Sequence, residues 1–281
     1  MDAQLLLFVL AVFGISIGAG FLGSLLGLGG AIIVTPALTL LFGLDIRYAI
    51  GASIVSVIAT SSGAAIAYIR DGITNVRIGM FLEIGTTLGA ITGAFLSALV
   101  DPRFLSVTFG VLLLYSGIMM ALKTKSELPE GVRNHPLSAR LRLASSYRDP
   151  ALGRDVAYNV DGAWGGLGMM YAAGVISGLL GIGSGAFKVM AMDLFMKLPM
   201  KVSSATSNFM IGVTAAASAG IYFLRGDIDP QVAAPVALGV LLGATVGARV
   251  MKRLKSRVLR LVFVPVLAVV AIQMIVKGVA P

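Results

Sequence analysis

The chain has 281 residues, of which 57% are hydrophobic and 12% charged, with a net charge of +9 and a mean hydropathy of +0.94. A soluble domain carries about 25% charged residues, so this composition excludes one, and long apolar runs without strand alternation select membrane helices over a β-barrel. The absence of cysteine excludes thiol redox chemistry, Fe–S clusters and Cys-ligated zinc, and the positive charge is read as basic cytoplasmic loops rather than a nucleic-acid footprint.

Taken in order, apolar segments are expected at about 5–26, 30–42, 48–69, 76–100 and 104–122. The N-terminus has no basic stretch before Leu5, so the first segment reads as a retained span rather than a signal peptide. A polar, basic stretch follows at 123–161, with Arg133, Arg140, Arg142, Arg148 and Arg154. Pro129, Pro136 and Pro150 prevent it from being one helix. Residues 137–143 are expected to form a short basic amphipathic turn on the membrane surface, and His135, the single histidine, reads as a solvated loop residue. Five further segments follow, at about 164–180, 185–196, 202–224, 231–251 and 258–276.

The halves align at an offset of 154 residues. Leu25-Leu26-Gly27 meets Leu179-Leu180-Gly181, and Gly85, Gly89 and Gly93 meet Gly239, Gly243 and Gly247. Ser53 meets Ser207, Thr60 meets Thr214, and Tyr68 meets Tyr222. Glycines in phase over such a length mark an internal repeat. The expected organisation is a first transmembrane repeat at 1–122, a basic loop at 123–161 and a second repeat at 162–281. With that loop cytoplasmic, Arg70/Arg77, Lys197/Lys201 and the Lys252, Arg253 and Lys255 cluster also fall inside, as the positive-inside rule asks. Both termini then lie outside, and an odd number of segments per half inverts one repeat relative to the other. The fold class is thus an all-α integral membrane protein of two inverted repeats.

Each half carries a Gly-rich string between its first two segments, Gly27-Leu28-Gly29-Gly30 and Gly181-Ile182-Gly183-Ser184-Gly185. The second segment of each half is too short to cross a hydrocarbon core of about 30 Å. The strings are therefore expected at the tips of helical hairpins that stop inside the membrane, where irregular backbone must be buried in protein or line a cavity. Full spans with surface turns are the alternative, and charge parity does not separate the two. Interrupted helices in inverted repeats are the general pattern of secondary transporters.

These residues resemble the TauE/SafE sulfite-exporter family, also called the four-toluene-sulfonate-uptake permeases. The family's repeat has a Gly-x-Gly-Gly-Gly loop, a following Pro and a small-residue Thr-Ser step. The first repeat here has Gly27, Gly29, Gly30 and Pro36, then Ala52-Ser53; the second has Gly181, Gly183 and Gly185, then Thr206-Ser207. Ala31 and Ser184 replace loop glycines, Ala52 stands in the Thr-Ser step, and Met190 stands where the first repeat has Pro36. The resemblance covers both halves and implies a transporter of small sulfur-containing anions, such as sulfite, sulfonates, sulfoacetate-like or thiosulfate-like compounds. Export is the commoner implied direction.

No Walker-type phosphate loop occurs and the single His lies in a loop, so neither ATP hydrolysis nor Ser/His/Asp catalysis has its residues; no enzyme activity and no cofactor or metal are expected. Anion binding would use helix N-termini and hydroxyls. The candidate substrate-binding set is Gly29, Gly30, Ser53, Gly183, Ser184, Gly185, Lys188, Thr206, Ser207 and Asn208. Packing or bonding to their own backbone is the competing role for the Ser and Thr residues. Lys188 either snorkels to the headgroups or provides the counter-charge of a bound anion. Val34 holds its place in the first repeat, so the shared fold does not demand the charge. Asp193, five residues further on, projects about 140° away and is a poor partner for it. Glu83 either pairs with a nearby Arg or couples transport to a proton, and Arg249 is expected to snorkel. Expected partners are a small anion and membrane lipid, with H+ or Na+ as coupling ion and a homodimer also open, and no nucleic acid. The alternatives are an ion-coupled transporter of another small anion or a cation antiporter of similar architecture, and a membrane scaffold, for which the two Gly hairpins would be unneeded; the antiporter would call for paired carboxylates, which Glu83 and Asp193 do not supply at repeat-equivalent positions.

Overall fold

A computed structural model describes the chain apart from residues 1–2, 27–28, 123–130, 133, 150–151, 182, 252–255 and 280–281. The basic cluster at 252–255, Arg133, Pro129 and Pro150, and residues Gly27, Leu28 and Ile182 of the Gly strings lie outside the described residues.

The first half contains α1 (Ala3–Leu26), α2 (Ala31–Leu40), α3 (Ile46–Arg70), α4 (Val76–Ser97) and α5 (Pro102–Leu122). A short α6 (Pro136–Arg140) and a hairpin of β1 (Ser145–Asp149) and β2 (Arg154–Tyr158) follow. The second half contains α7 (Ala163–Leu180), α8 (Gly185–Leu194), α9 (Met200–Leu224), α10 (Pro230–Met251) and α11 (Ser256–Val279). Helix boundaries follow local chemistry. Asp45 caps α3 by accepting the Arg47 N–H at 2.8 Å, and Asn75 caps α4 by accepting that of Ile78 at 3.1 Å. Among the described residues, six helices are long and apolar enough to cross a membrane. The apolar runs and the helices agree closely, so the chain is an all-α, multi-pass membrane protein.

The packing pairs correspond between halves. Helix α1 packs on α10 as α7 packs on α4, α3 on α10 as α9 on α4, and α3 meets α9 while α5 meets α11. The phased glycines explain these contacts. A Cβ on Gly89 or Gly93 would strike the carbonyls of Tyr171 or Val175 on α7, and one on Gly239 or Gly243 those of Phe13 or Ile17 on α1. Small residues let membrane helices approach backbone to backbone, where dispersion replaces a hydrophobic drive. The opposite face of α4 exposes Met80, Ile84, Leu88 and Phe95, each about 60% accessible, as a helix facing lipid would.

The first two helices of each half form a hairpin whose ends meet. Asp161 N–H, just before α7, donates to Met196 O beyond α8 at 3.3 Å, and the Phe8 and Phe42 rings sit edge to face at 5.2 Å. Helices α2 and α8 have 10 residues each, about 15 Å.

The 134–161 stretch departs from the expected loop. It folds into α6 and the antiparallel β1–β2 pair and packs on the bundle. Tyr147 and Val156 are buried in the main core, and Leu143 and Val160 in a second cluster with Ile78 and Leu82. Alternating inward side chains in a five-residue strand are too short a signal to stand out beside membrane spans. Lys201 pairs with Asp149 at 2.7 Å, and Asn75 Nδ2 donates to Leu143 O and the Tyr158 hydroxyl. Burial raises the Tyr158 pKa, so that hydroxyl stays neutral in this role. His135 is not merely solvated: its Nδ1 accepts the Leu137 N–H and caps α6. Asp161 is held below the usual carboxylate range by hydrogen bonds from Lys197 and the Gly162 N–H. At the other end of α9, Arg225 pairs with Asp227 and donates to Ala94 O and Ser97 Oγ of α4.

Candidate functional site

The two Gly turns press on the middle of the bundle. Gly30 N–H donates to Thr60 Oγ1 on α3 at 3.2 Å. A Cβ on Gly183 would meet Val57 of α3 at 2.7 Å and Ile211 of α9 at 3.4 Å. Val57 and Thr60 are one helical turn apart, so the turns converge near the centre of α3. Gly29, Gly181 and Gly183 all have positive φ (76°, 64° and 69°), which glycine adopts without a Cβ penalty. Ser184 is held at φ 51° without that freedom, as the N-cap of α8. Its side chain caps no N–H of its helix, and its buried hydroxyl has no hydrogen-bond partner.

Tyr68 and Tyr222 fix where these turns begin. Tyr68 donates to Ser24 O near the end of α1 at 3.0 Å, and Tyr222 to Gly178 O near the end of α7 at 2.6 Å. Asn208 Nδ2 also donates to Ser24 O, at 3.1 Å, and its Oδ1 is buried without a partner. Ser207 Oγ donates to Gly185 O at 3.3 Å, which joins α9 to the start of α8.

The remaining candidates divide. Ser53 accepts from Thr35 Oγ1 at 2.6 Å, and Thr206 Oγ1 accepts the Asn75 N–H at 3.0 Å, toward the β-hairpin. No described contact brings either to the α8 N-terminus. Lys188 does not snorkel, because it is completely buried. Its Nζ donates to Thr214 Oγ1 on α9 and lies 3.6 Å from Glu83 Oε2 on α4. Glu83 Oε1 accepts from Thr214 at 2.5 Å and from Thr87 at 3.1 Å. The expected Arg partner for Glu83 is therefore corrected to Lys188. The short arm of α8 turns Lys188 inward to α4 and α9, and Arg77, at the start of α4, instead donates to Arg142 O. Arg249 is exposed, as expected, and Asp193 is half-buried. Thr214 was absent from the candidate set, although its register with Thr60 had marked it.

The Lys188–Glu83 pair is close to balance. Two unit charges about 4 Å apart attract by roughly 4 kcal/mol at an effective dielectric near 20. Removing each from water costs several kcal/mol. Such a pair is no strong brace in net terms, although removing one member alone would leave a buried charge uncompensated.

A bundle of helices long and apolar enough to cross a membrane, packed through glycines around a buried ionic cluster, has the general build of a membrane transporter. The chain belongs to the sulfite exporter TauE/SafE family, whose model matches residues 12–274. It is 28% identical to the probable membrane transporter protein YunE of Bacillus subtilis (strain 168), over 96% of this chain and 98% of that protein. It is 27% identical to the probable membrane transporter protein YdhB of the same organism, over 83% and 85% respectively. A probable membrane transporter protein of Xylella fastidiosa (strain 9a5c) is 26% identical over 78% of this chain. No solved structure matches it significantly.

Proposed function

We propose that the protein is a secondary transporter of small sulfur-containing anions, such as sulfite, sulfonates or sulfoacetate-like compounds, and acts as an exporter in the cell membrane. Its two halves are inverted, both termini are external, and access alternates about the Gly turns. The family supports the substrate class. The observation that carries the reading is the fully buried Lys188 one turn into α8, behind an N-cap hydroxyl without a partner. A helix N-terminus offers N–H groups and a favourable dipole to an anion, and the cation one turn on completes the field. Substrate is bound by Ser184, the N–H groups of 183–185, Ser207 and Lys188, with Asn208 beside them. Ser53 and Thr206 serve packing in this arrangement. Cation antiport has less support, because the buried carboxylate is already neutralised by a lysine.

The test is a thermal-shift panel on the purified protein with sulfite, methanesulfonate, thiosulfate, simple carboxylates and inorganic cations. Sulfur oxyanions are expected to stabilise the wild type, and Lys188→Met to weaken binding at least tenfold, about the 1.4 kcal/mol that one charge-assisted contact should exceed. A response to cations alone sinks the reading.

A further inference from the structure

The charged cluster breaks the symmetry of the repeat in a specific way. In the first half, Thr60 Oγ1 takes the N–H of Gly30, the residue that opens α2. In the second half, Thr214 stands at the same register, but its hydroxyl is engaged by Lys188 and Glu83. The residue in register with Gly30 is Ser184, whose buried hydroxyl is unpartnered. Val34 and Ala237 are the register partners of Lys188 and Glu83, so both charges are additions to the shared scaffold. The group that closes the first turn has thus been diverted, in the second, to a carboxylate.

We propose that Glu83 is a tethered competitor of the transported anion: it occupies Lys188 and Thr214 when no substrate is bound, and substrate displaces it as Glu83 takes up one proton. This rests on the anion-transporter reading above. The two carboxylate oxygens are arranged for that exchange. Oε1 accepts from both Thr214 and Thr87, whereas Oε2 has no hydrogen-bond partner and faces Lys188 at 3.6 Å. A proton on Oε2 leaves the Thr87 bond to Oε1 intact and ends the attraction to the ammonium. The Lys188 side chain is 0% exposed and that of Glu83 10%, so Glu83 is the less deeply buried member of the pair.

Charge conservation then selects the cargo. Lys188 with ionised Glu83 is neutral; Lys188 with a monoanion and protonated Glu83 is neutral again. A dianion would leave one uncompensated negative charge in a buried site, which is disfavoured. The preferred cargo is therefore a singly charged sulfonate or hydrogen-sulfite-like ion, moved with one proton.

Among the described residues of α4, α7, α8 and α9, no other ionisable group is placed to account for such a pH dependence. On α8 the charged groups are Lys188 and Asp193, the latter about 140° around the helix. Helix α7 carries only the exposed Tyr171. On α9, Lys201 is held by Asp149 near one end, and Tyr222 is bonded to Gly178 O near the other. Arg77, on α4 itself, is exposed and donates to Arg142 O.

The experiment measures binding of methanesulfonate, whose charge is constant over the range, to the purified full chain between about pH 5 and 9. Wild-type affinity is expected to fall as pH rises, approaching tenfold per pH unit, the slope for one linked proton. An indicator dye in weak buffer should register about one proton taken up per anion bound, a readout that needs no variant. Glu83→Gln should bind at the wild type's low-pH affinity with no pH dependence, while Glu83→Gln/Lys188→Met, which removes both charges together, should not bind. Sulfate should bind at least tenfold more weakly than methanesulfonate. Wild-type pH dependence retained in Glu83→Gln, or binding without proton uptake, overturns the competitor role alone. Silence of wild type and Glu83→Gln toward every sulfur oxyanion, across the whole range, overturns the transporter reading and this proposal together.

Discussion

Replacing Gly239 by Ala tests whether α1 and α10 meet backbone to backbone. The new Cβ would lie 2.5 Å from Phe13 O and 2.8 Å from Ser16 Cβ, whereas ordinary contact begins at 3.4 Å. The shortfall, 3.4 less 2.5, is about 0.9 Å against a carbonyl that cannot rotate away. Overpacking of this kind costs about 1–3 kcal/mol, and the better helix propensity of Ala returns up to ~1 kcal/mol. With the full propensity gain the expected net loss is up to about 2 kcal/mol. Two further glycines calibrate the effect. Gly85, the register partner of Gly239, would place its Cβ 3.0 Å from Leu167 O, so Gly85→Ala should be near neutral. Gly168 on α7 has no atom within 4 Å, so Gly168→Ala should stabilise by up to ~1 kcal/mol. Unfolding the three variants in one detergent should order them Gly239→Ala, Gly85→Ala, wild type, Gly168→Ala, from least to most stable. Equal shifts of the same sign for Gly239 and Gly168 would refute the close helix contact.

Tyr68→Phe and Tyr222→Phe should each cost about 1 kcal/mol through a lost hydrogen bond to the end of α1 or α7, and the double variant should show near-additive losses, since the two sites lie in different halves; melting in detergent checks both. Lys201→Met removes the Lys201–Asp149 ion pair that ties α9 to β1, so limited proteolysis between α6 and β2 should accelerate, and less so for Lys201→Arg. Single cysteines at Asp101 and Asp155, both exposed, should react with an impermeant maleimide from opposite sides of sealed cells, and labelling from one side contradicts the inverted arrangement.

The scaffold was legible because membrane physics writes it into composition. Apolar runs must be long enough to span, and every backbone group must be paired within the chain, so helix number and order follow from hydropathy. The phased glycines were legible as a repeat, but their purpose was not: that Gly93 faces the Val175 carbonyl, and Gly247 that of Phe21, is a property of two helices at once. The β1–β2 hairpin escaped notice because burial of Tyr147 and Val156 depends on the bundle end they cover. Of the candidate residues, Ser184 and Lys188 lie on or at the start of α8 and Ser207 Oγ donates to Gly185 O there, Asn208 turns to Ser24 O of α1, and Ser53 and Thr206 turn to Thr35 and Asn75. Serine and threonine are ambiguous in a span because a backbone carbonyl one turn away always competes for the hydroxyl.

Charge was the more reliable signal, for an energetic reason. A hydroxyl can lie idle in a membrane helix at little cost, but a buried ammonium cannot, so Lys188 had to have a partner wherever the fold placed it. What the linear chain withheld was the identity of that partner. Asp193 is near Lys188 in sequence but on another face, while Glu83, more than a hundred residues away, reaches it because α4 and α8 both pack on α9. The same packing sets Thr214 between the two charges and Thr60 against the opposite turn. A scaffold with matching halves thus holds one neutral turn and one charged turn. Under the alternating-access reading proposed above, that difference would separate the roles: the first hairpin would move as a passive wall, while the second would exchange its internal ion for another before moving.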